Sequence, residues 1–336
     1  MQRRSRSRHG TGLRHECDPR ISAGAGSPSG QVLSVMPDTV FRAKHGFSPF
    51  VFLLLMVGSM IIWGGSWVSA KLIADRLPPA VLCFWRFLLS SVAFLPFLGM
   101  QRRPVMWSLG GVVFCAGGAL ALSGYMMLFF RGLEHGYAGA GGVLTTSLMP
   151  LMTLLLSIVL LGRKARRRDW TGILIGIAGA SVIMRVWSLD GDVLVRSGNL
   201  LFVVCSFVWA LVTIFGQKAS TTLSPMVFSC LAYGLAALCF LPFASMHGIG
   251  EVFQQDIAFW GNLFFLSVIS GSGATTVYFF AAERIGSYRS SSFAFLVPSS
   301  ALLLSWLFLG EIPHPATLIG GAISVSAVYL INRPAA

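Results

Sequence analysis

The sequence predicts an all-α integral membrane protein: ten transmembrane helices disposed as two inverted five-helix repeats. Three observations carry that expectation. Apolar residues make up 55% of the 336-residue chain and charged residues 11%, with a mean hydropathy of +0.74, more apolar surface than a soluble chain of this length can bury. Those residues gather into ten stretches of roughly 18–25 residues, enough for helices rising about 1.5 Å per residue to cross a hydrocarbon core about 30 Å thick. Membrane strands would instead show alternating segments of about ten residues. Finally, landmarks recur. Trp63, Pro79 and Phe94-Leu95-Pro96-Phe97 return 146 residues later as Trp209, Pro225 and Phe240-Leu241-Pro242-Phe243, while Pro150 and Leu161-Gly162 return 148 residues later as Pro298 and Leu309-Gly310. Five spans per half is an odd number, so the second half must enter the bilayer from the opposite side.

The elements follow in order. Residues 1–47 carry Arg3, Arg4, Arg6, Arg8 and Arg14 among Ser, Gly and Pro, and read as a disordered basic tail. They contain no apolar run before a cleavage site, so they are not a secretory signal, and Glu16, Asp18 and Asp38 argue against an organellar transit peptide. Met36 offers an alternative start, which leaves residues 1–35 open. The first repeat, 48–190, holds spans 50–73, 80–98, 107–130, 137–161 and 170–187. The second, 191–336, holds spans 197–216, 225–243, 257–280, 287–309 and 315–332. Gly139-Ala140-Gly141-Gly142 and the Gly172/Gly176 pair read as close-packing surfaces, and the glycine-rich faces of the fifth and tenth spans suit either a homodimer or packing within one chain.

The net charge of +13 is spread by side of the membrane, not as a nucleic-acid footprint. With the N-terminus inside, 19 Lys and Arg fall on the inner side and five on the outer, so both termini are expected in the cytoplasm, in a bacterial inner membrane. The loop 163–168, with four Arg and one Lys, is then a topological anchor, with a lipid-headgroup or regulatory site as the second reading. Of six cysteines, five lie in spans and none forms a Cys-x-x-Cys pair, so they read as packing residues. No cofactor or metal site is expected: six scattered histidines lack metal-ligand spacing, and His15-Glu16-Cys17-Asp18 lies in the tail.

Candidate solute contacts emerge from comparing the halves. Trp63, Trp67 and Lys71 stand at i, i+4 and i+8 on one helix face, and 146 residues on are Trp209, Thr213 and Gln217. An aromatic ring beside a hydrogen-bonding group suits a small amphipathic solute. The plainer reading is that the tryptophans pack or face lipid and that Lys71 reaches the interface. Arg86 lies about 9 Å inside the second span with no deep carboxylate on any span to pair with it. Its partner is a carbonyl, a hydroxyl such as Tyr125, or the carboxylate or phosphate of a solute; the equivalent residue in the second half is Ala232. Pro150 follows Thr145-Thr146-Ser147, and Pro298 is flanked by Ser290-Ser291-Ser292 and Ser299-Ser300, an arrangement that suits kinked lining or hinge helices as well as plain packing.

The run Trp63-Gly64-Gly65-Ser66, then Lys71, Pro78-Pro79 and Arg86-Phe87, resembles the opening of the EamA-type family of the drug/metabolite transporter superfamily. Pro150 with Leu161-Gly162, and Pro298 with Leu309-Gly310-Glu311, resemble the fourth and ninth helices of that family's repeats. The resemblance covers residues 50–332 and implies ten helices around a central cavity, cytoplasmic termini and movement of small metabolites or drugs, often outward, amino acids among them. One departure stands out. The acid expected after Leu161-Gly162 is Arg163 here, whereas Glu311 keeps it in the second half. The expectation is therefore a secondary transporter working by alternating access, with an amino acid or similar amphipathic solute exported. A lipid-modifying enzyme or a channel is the alternative, but neither a cluster of catalytic groups nor a ring of carbonyls or like charges is present in the sequence. Glu134, His135 and Glu283 are peripheral candidates for proton coupling.

Overall fold

A computed structural model describes residues 48–99, 108–135, 138–188, 199–309 and 315–333. The basic tail 1–47, Glu311 and His314 lie outside the described residues. What is described is helical almost throughout: Pro49–Ala74 (α1), Pro79–Gly99 (α2), Leu109–His135 (α3), Ala138–Leu161 (α4), Arg167–Met184 (α5), Asn199–Ala219 (α6) and Pro225–Met246 (α7). Then come Ile257–Ile285 (α8), a ninth element (α9) built of Ser287–Ser292, Phe293–Leu296 and Val297–Leu309, and Pro315–Asn332 (α10). Among the described residues, α1 to α8 are each long and apolar enough to cross a membrane. The two segments where a ninth and tenth span are expected are helical but lack an unbroken apolar helix of that length: α9 is broken by a 3-10 turn at Phe293–Leu296, and the apolar part of α10 is Leu318–Asn332.

Local sequence explains where several helices start. Ser48 and Ser224 sit just before Pro49 and Pro225, and each accepts a 3.3 Å hydrogen bond from the amide three residues on, satisfying one of the four N–H groups a helix start leaves open. Asp256 does the same for α8, accepting from Phe259 N at 2.8 Å. Pro150 leaves α4 unbroken, with Thr146 Oγ1 donating to Gly142 O and Thr153 Oγ1 to Met149 O on either side of it. Pro298 instead is the second residue of the helix that follows the 3-10 turn of α9. Inside α8, Phe265–Ala274 is wound as a π-helix. There Ser272 and Thr275 donate to the carbonyls of Ser267 and Ser270, five residues back, and Tyr233 Oη reaches Gly271 O at 2.9 Å.

Small residues let backbones approach where the halves meet. A Cβ at Gly132 or Gly141 would collide with the Phe202 ring, so α6 nests against α3 and α4. Across α5 and α10, a Cβ on Gly179 would sit 2.8 Å from Gly320 O, and Gly172 lies against Ile331. Gly172, Gly179 and Gly320 thus pack between the fifth and tenth helices, while Gly176 and Gly321 meet Phe295 and Ser299 of α9. Helices α2 and α7 run antiparallel: Phe87 stacks on Phe240 at 5.9 Å, Phe94 on Tyr233 at 6.2 Å, and Ser91 Oγ donates to Cys230 O between them. Outward, Leu54, Leu95, Leu120, Val159, Leu174 and Leu238 stay exposed, an apolar belt that lipid would cover.

Candidate functional site

Helices from both halves enclose a small cavity. Trp63, Ser66 and Trp67 reach it from α1, Arg86 from α2, Tyr125, Met126 and Phe129 from α3, and Thr146 and Met149 from α4. Trp209 arrives from α6, Tyr233 from α7, Ser270 from the π-wound stretch of α8 and Thr275 from the turn just after it. Its rings form a continuous box. Trp63 meets Trp209 edge-on at 5.1 Å and Tyr278 at 5.0 Å; Trp209 meets Tyr125 at 4.8 Å; Trp67 meets Phe129 at 4.8 Å. Trp63 and Trp209, equivalent residues of the two repeats, are therefore in direct contact at its centre.

Arg86 is the cavity's one charge. It is buried, with Cζ 5.8 Å from the Phe129 ring centroid, and its Nη1 has no hydrogen-bond partner. None of the ion pairs among the described residues involves it. An unpaired guanidinium N–H facing a cavity in an apolar bundle is costly unless a ligand, ion or water completes it. The cavity holds about 40 Å³, room for about one water, whose share of liquid volume is about 30 Å³. The helices are drawn together around it.

Five of the expected contacts, Trp63, Trp67, Arg86, Tyr125 and Trp209, line this cavity. The other polar members of the two stripes lie elsewhere. Lys71 Nζ donates to Leu133 O at 2.8 Å near one end of the bundle. Thr213 is fully buried, bonded to Trp209 O and to the Tyr278 hydroxyl at 3.0 Å each. Gln217 stands at the opposite end, where its Oε1 accepts from Ser287 N at 3.0 Å. Each stripe runs about eight residues, some 12 Å of helix, so its ends reach opposite ends of the bundle while its tryptophans meet in the middle. Pro150 adjoins the lining residue Met149, and Pro298 lies outside the lining. Lining residues that sequence comparison missed are Ser66, Met126, Phe129, Met149, Tyr233, Ser270 and Thr275. Three of them had a signal: Tyr233 stands 146 residues beyond Phe87, Arg86's neighbour, and Ser270 to Thr275 form a run of small and hydroxyl residues within an apolar span.

At the end of the bundle that carries Lys71, Arg76 and Asp256 form a 2.8 Å ion pair between the loops after α1 and α7, and Trp85 Nε1 donates to Ile249 O at 2.9 Å. The Arg76 hydrogen bond, with that from Phe259 N, holds the Asp256 carboxyl below the usual carboxylate range.

The sequence profile described as the EamA-like transporter family matches residues 51–185 and 196–333, one match per half. An "Uncharacterized transporter" of Archaeoglobus fulgidus is 28% identical over 82% of this chain and 96% of its own length. A "Probable terminal-alkyne amino-acid exporter" of Streptantibioticus cattleyicolor is 25% identical, covering 83% of this chain and 92% of the relative. A "Probable amino-acid metabolite efflux pump" of Salmonella typhimurium is 24% identical over 83% of this chain and 93% of its own. One solved crystal structure matches with a TM-score of 0.65 at 20% identity, over 84% of this chain and 96% of that one, which bears on the fold alone. The family and these relatives are transporters and not enzymes.

Proposed function

This chain belongs to the EamA-like transporter family of membrane proteins, and we propose that it exports a small amphipathic solute with an anionic group, an amino acid or close relative, by alternating access. In this reading its ten helices form two inverted repeats, with both termini in the cytoplasm of a bacterial inner membrane. The observation that carries the proposal is Arg86: a buried cation with an open Nη1 in a box of Trp63, Trp67, Tyr125, Phe129 and Trp209. A carboxylate would complete the guanidinium through charge-assisted hydrogen bonds, and the rings would cover an apolar side chain.

Three further points support it. The Streptantibioticus and Salmonella relatives are named for amino-acid export and amino-acid metabolite efflux. The inversion is supported by reciprocal contacts: Phe87 meets Phe240 and Phe94 meets Tyr233, and each pair becomes the other when every residue is exchanged for its partner 146 positions away. That is the signature of an internal two-fold axis. Alternating access is supported by size, since about 40 Å³ is far below the roughly 300–1,000 Å³ of a typical ligand pocket, so a solute needs a second, wider arrangement. The lining residues include no carboxylate, which favours exchange or downhill flux over proton coupling through this cavity.

The test is a metabolite profile of medium and cytosol from cells overproducing the protein, beside cells with an equally expressed Arg86→Gln variant. An anionic solute enriched outside only with the intact chain is the expected result. No such solute, together with no saturable uptake into proteoliposomes, would overturn the proposal.

A further inference from the structure

A second and larger cavity, about 420 Å³, opens at the end of the bundle remote from Lys71. Its walls come from both halves. Ser157, Leu161, Arg163, Lys164, Arg166 and Arg168 belong to the first; Gln217, Ile285, Gly286, Ser287, Tyr288 and Arg289 belong to the second. Five cations thus face one space, its described lining includes no carboxylate, and the neighbouring Asp169 is already committed. It is almost wholly buried and accepts from Arg163 Nη2 and from Arg166 N, both at 2.9 Å. Cross-links hold the two walls at a fixed spacing. Tyr288 Oη donates to Asp169 O at 3.1 Å, Arg163 stacks 4.0 Å over the Tyr288 ring, and the Ser157 and Ser287 hydroxyls meet at 3.2 Å.

Two guanidinium groups here are incompletely used. Arg163 Nη1 and Arg168 Nε are buried atoms with no hydrogen-bond partner, although Arg163 is paired through Nη2 and Arg168 through Nη1 to Arg333 O. Solvated arginines of a topological anchor would turn such donors to water. Here the surrounding fold removes them from water without supplying an acceptor, which marks a position for an acceptor the chain itself does not contain. Forked guanidinium donors arranged around a cavity match the several oxygens of a phosphate.

We infer that this vestibule is a binding site for a phosphate-bearing anion, gripped between the two halves by Arg163 and Arg168 on one wall and Arg289 on the other. The group is carried either by a soluble phosphorylated compound or by the headgroup of an acidic lipid, and both present the same oxygens. The site is separate from the aromatic cavity and does not depend on what that cavity carries.

The experiment uses the full chain purified in a neutral detergent. Inorganic phosphate is titrated at constant ionic strength against chloride while thermal unfolding is followed by tryptophan fluorescence. In parallel, protein taken through vesicles of phosphatidylglycerol and phosphatidylcholine is weighed by native mass spectrometry for retained lipid. Saturable stabilisation by phosphate, with a midpoint raised at least tenfold in Arg168→Gln/Arg289→Gln and unchanged in Arg131→Gln, establishes the site with a soluble ligand. Retention of phosphatidylglycerol over phosphatidylcholine, lost in the same double variant, establishes it with a lipid headgroup. Neither effect, or effects that the double variant leaves intact, overturns the inference. If the double variant does not fold, Arg289→Lys carries the same test, since it keeps the charge and loses the fork: binding at least threefold weaker supports the site, and unchanged binding overturns it.

Discussion

Replacing Arg86 by methionine separates a solute anchor from a structural cation, because the two roles predict opposite effects on stability. Methionine is unbranched and apolar but shorter, so it fills much of the space of the aliphatic stem without charge. The protein loses the contact of the guanidinium with Phe129 at 5.8 Å, a cation–π interaction contributing about 0.5–2 kcal/mol. It also sheds a buried, unpartnered Nη1 donor, whose desolvation costs about 1–3 kcal/mol. The two nearly cancel, so the melting temperature of Arg86→Met in detergent should match or slightly exceed that of the parent. Binding of an anionic solute, by contrast, loses a charge-assisted hydrogen bond of about 1.5–3 kcal/mol, which is roughly a 10- to 150-fold rise in Kd at about 1.4 kcal/mol per tenfold. Trp63, Trp67 and Trp209 line the same cavity, so their fluorescence reports binding directly as amino acids are titrated. A variant that melts far below the parent would show that Arg86 is bonded into the scaffold. An unchanged Kd for the carboxylate form of a bound solute would remove it from the site. Either outcome refutes the reasoning.

Other perturbations test the frame around the cavity. Gly141→Ala places a methyl on the fully buried Phe202 ring, and overpacking of that kind should cost about 1–3 kcal/mol, read as a lower melting temperature, whereas Gly58→Ala, where a Cβ would meet nothing within 4 Å, should be neutral. Asp169→Asn leaves Arg163 without its counter-charge; because Arg163 is 28% exposed, the loss should be about 2–3 kcal/mol, below the 3–5 kcal/mol of a fully buried pair. Asp256 has its folded pKa held down by Arg76, so its contribution to stability is complete above the ordinary carboxylate range and is lost as pH falls through the lowered value. Melting curves from pH 7 down to pH 3 should therefore show an acid-side loss that is smaller in Asp256→Asn, and identical curves for the two proteins would reject the assignment.

The helices were legible because the bilayer imposes a length and a polarity that composition cannot hide, and their bounds fall within a few residues of the apolar stretches. Repetition was equally legible: Trp63 and Trp209, found by a spacing of 146 residues, touch at 5.1 Å. What the spacing could not convey was depth. A helical stripe places Trp63, Trp67 and Lys71 on one face, but the rise along the axis carries Lys71 out of the aromatic box to Leu133 O and carries Gln217 to the other end of the bundle. Met126 and Phe129 were illegible for a different reason. They reach the cavity through helix crossings, which depend on contacts far apart in the chain. Arg163 was read as a lost acid; the structure shows that Asp169, six residues on, supplies the carboxylate that Arg163 pairs with.

The two halves contribute unequally to the aromatic box, and in the proposed reading that difference bears on how a solute is held. Trp63 faces Trp209, its equivalent in the other half, but the counterparts of Trp67 and Phe129 are Thr213 and Thr275, so the aromatic wall is built mainly by the first half. Arg86, whose counterpart is Ala232, belongs to that same half. In the proposed reading, a solute with one anionic end enters the box in a single sense, with its charged end on the α2 side and its apolar part across the tryptophans. The same asymmetry governs what the box excludes. A cationic solute would meet a guanidinium with no neighbouring carboxylate to offset it, and a wholly apolar one would leave the Nη1 donor of Arg86 unpaired. In the proposed reading, selection for an amphipathic anion thus rests on Arg86 and its open Nη1.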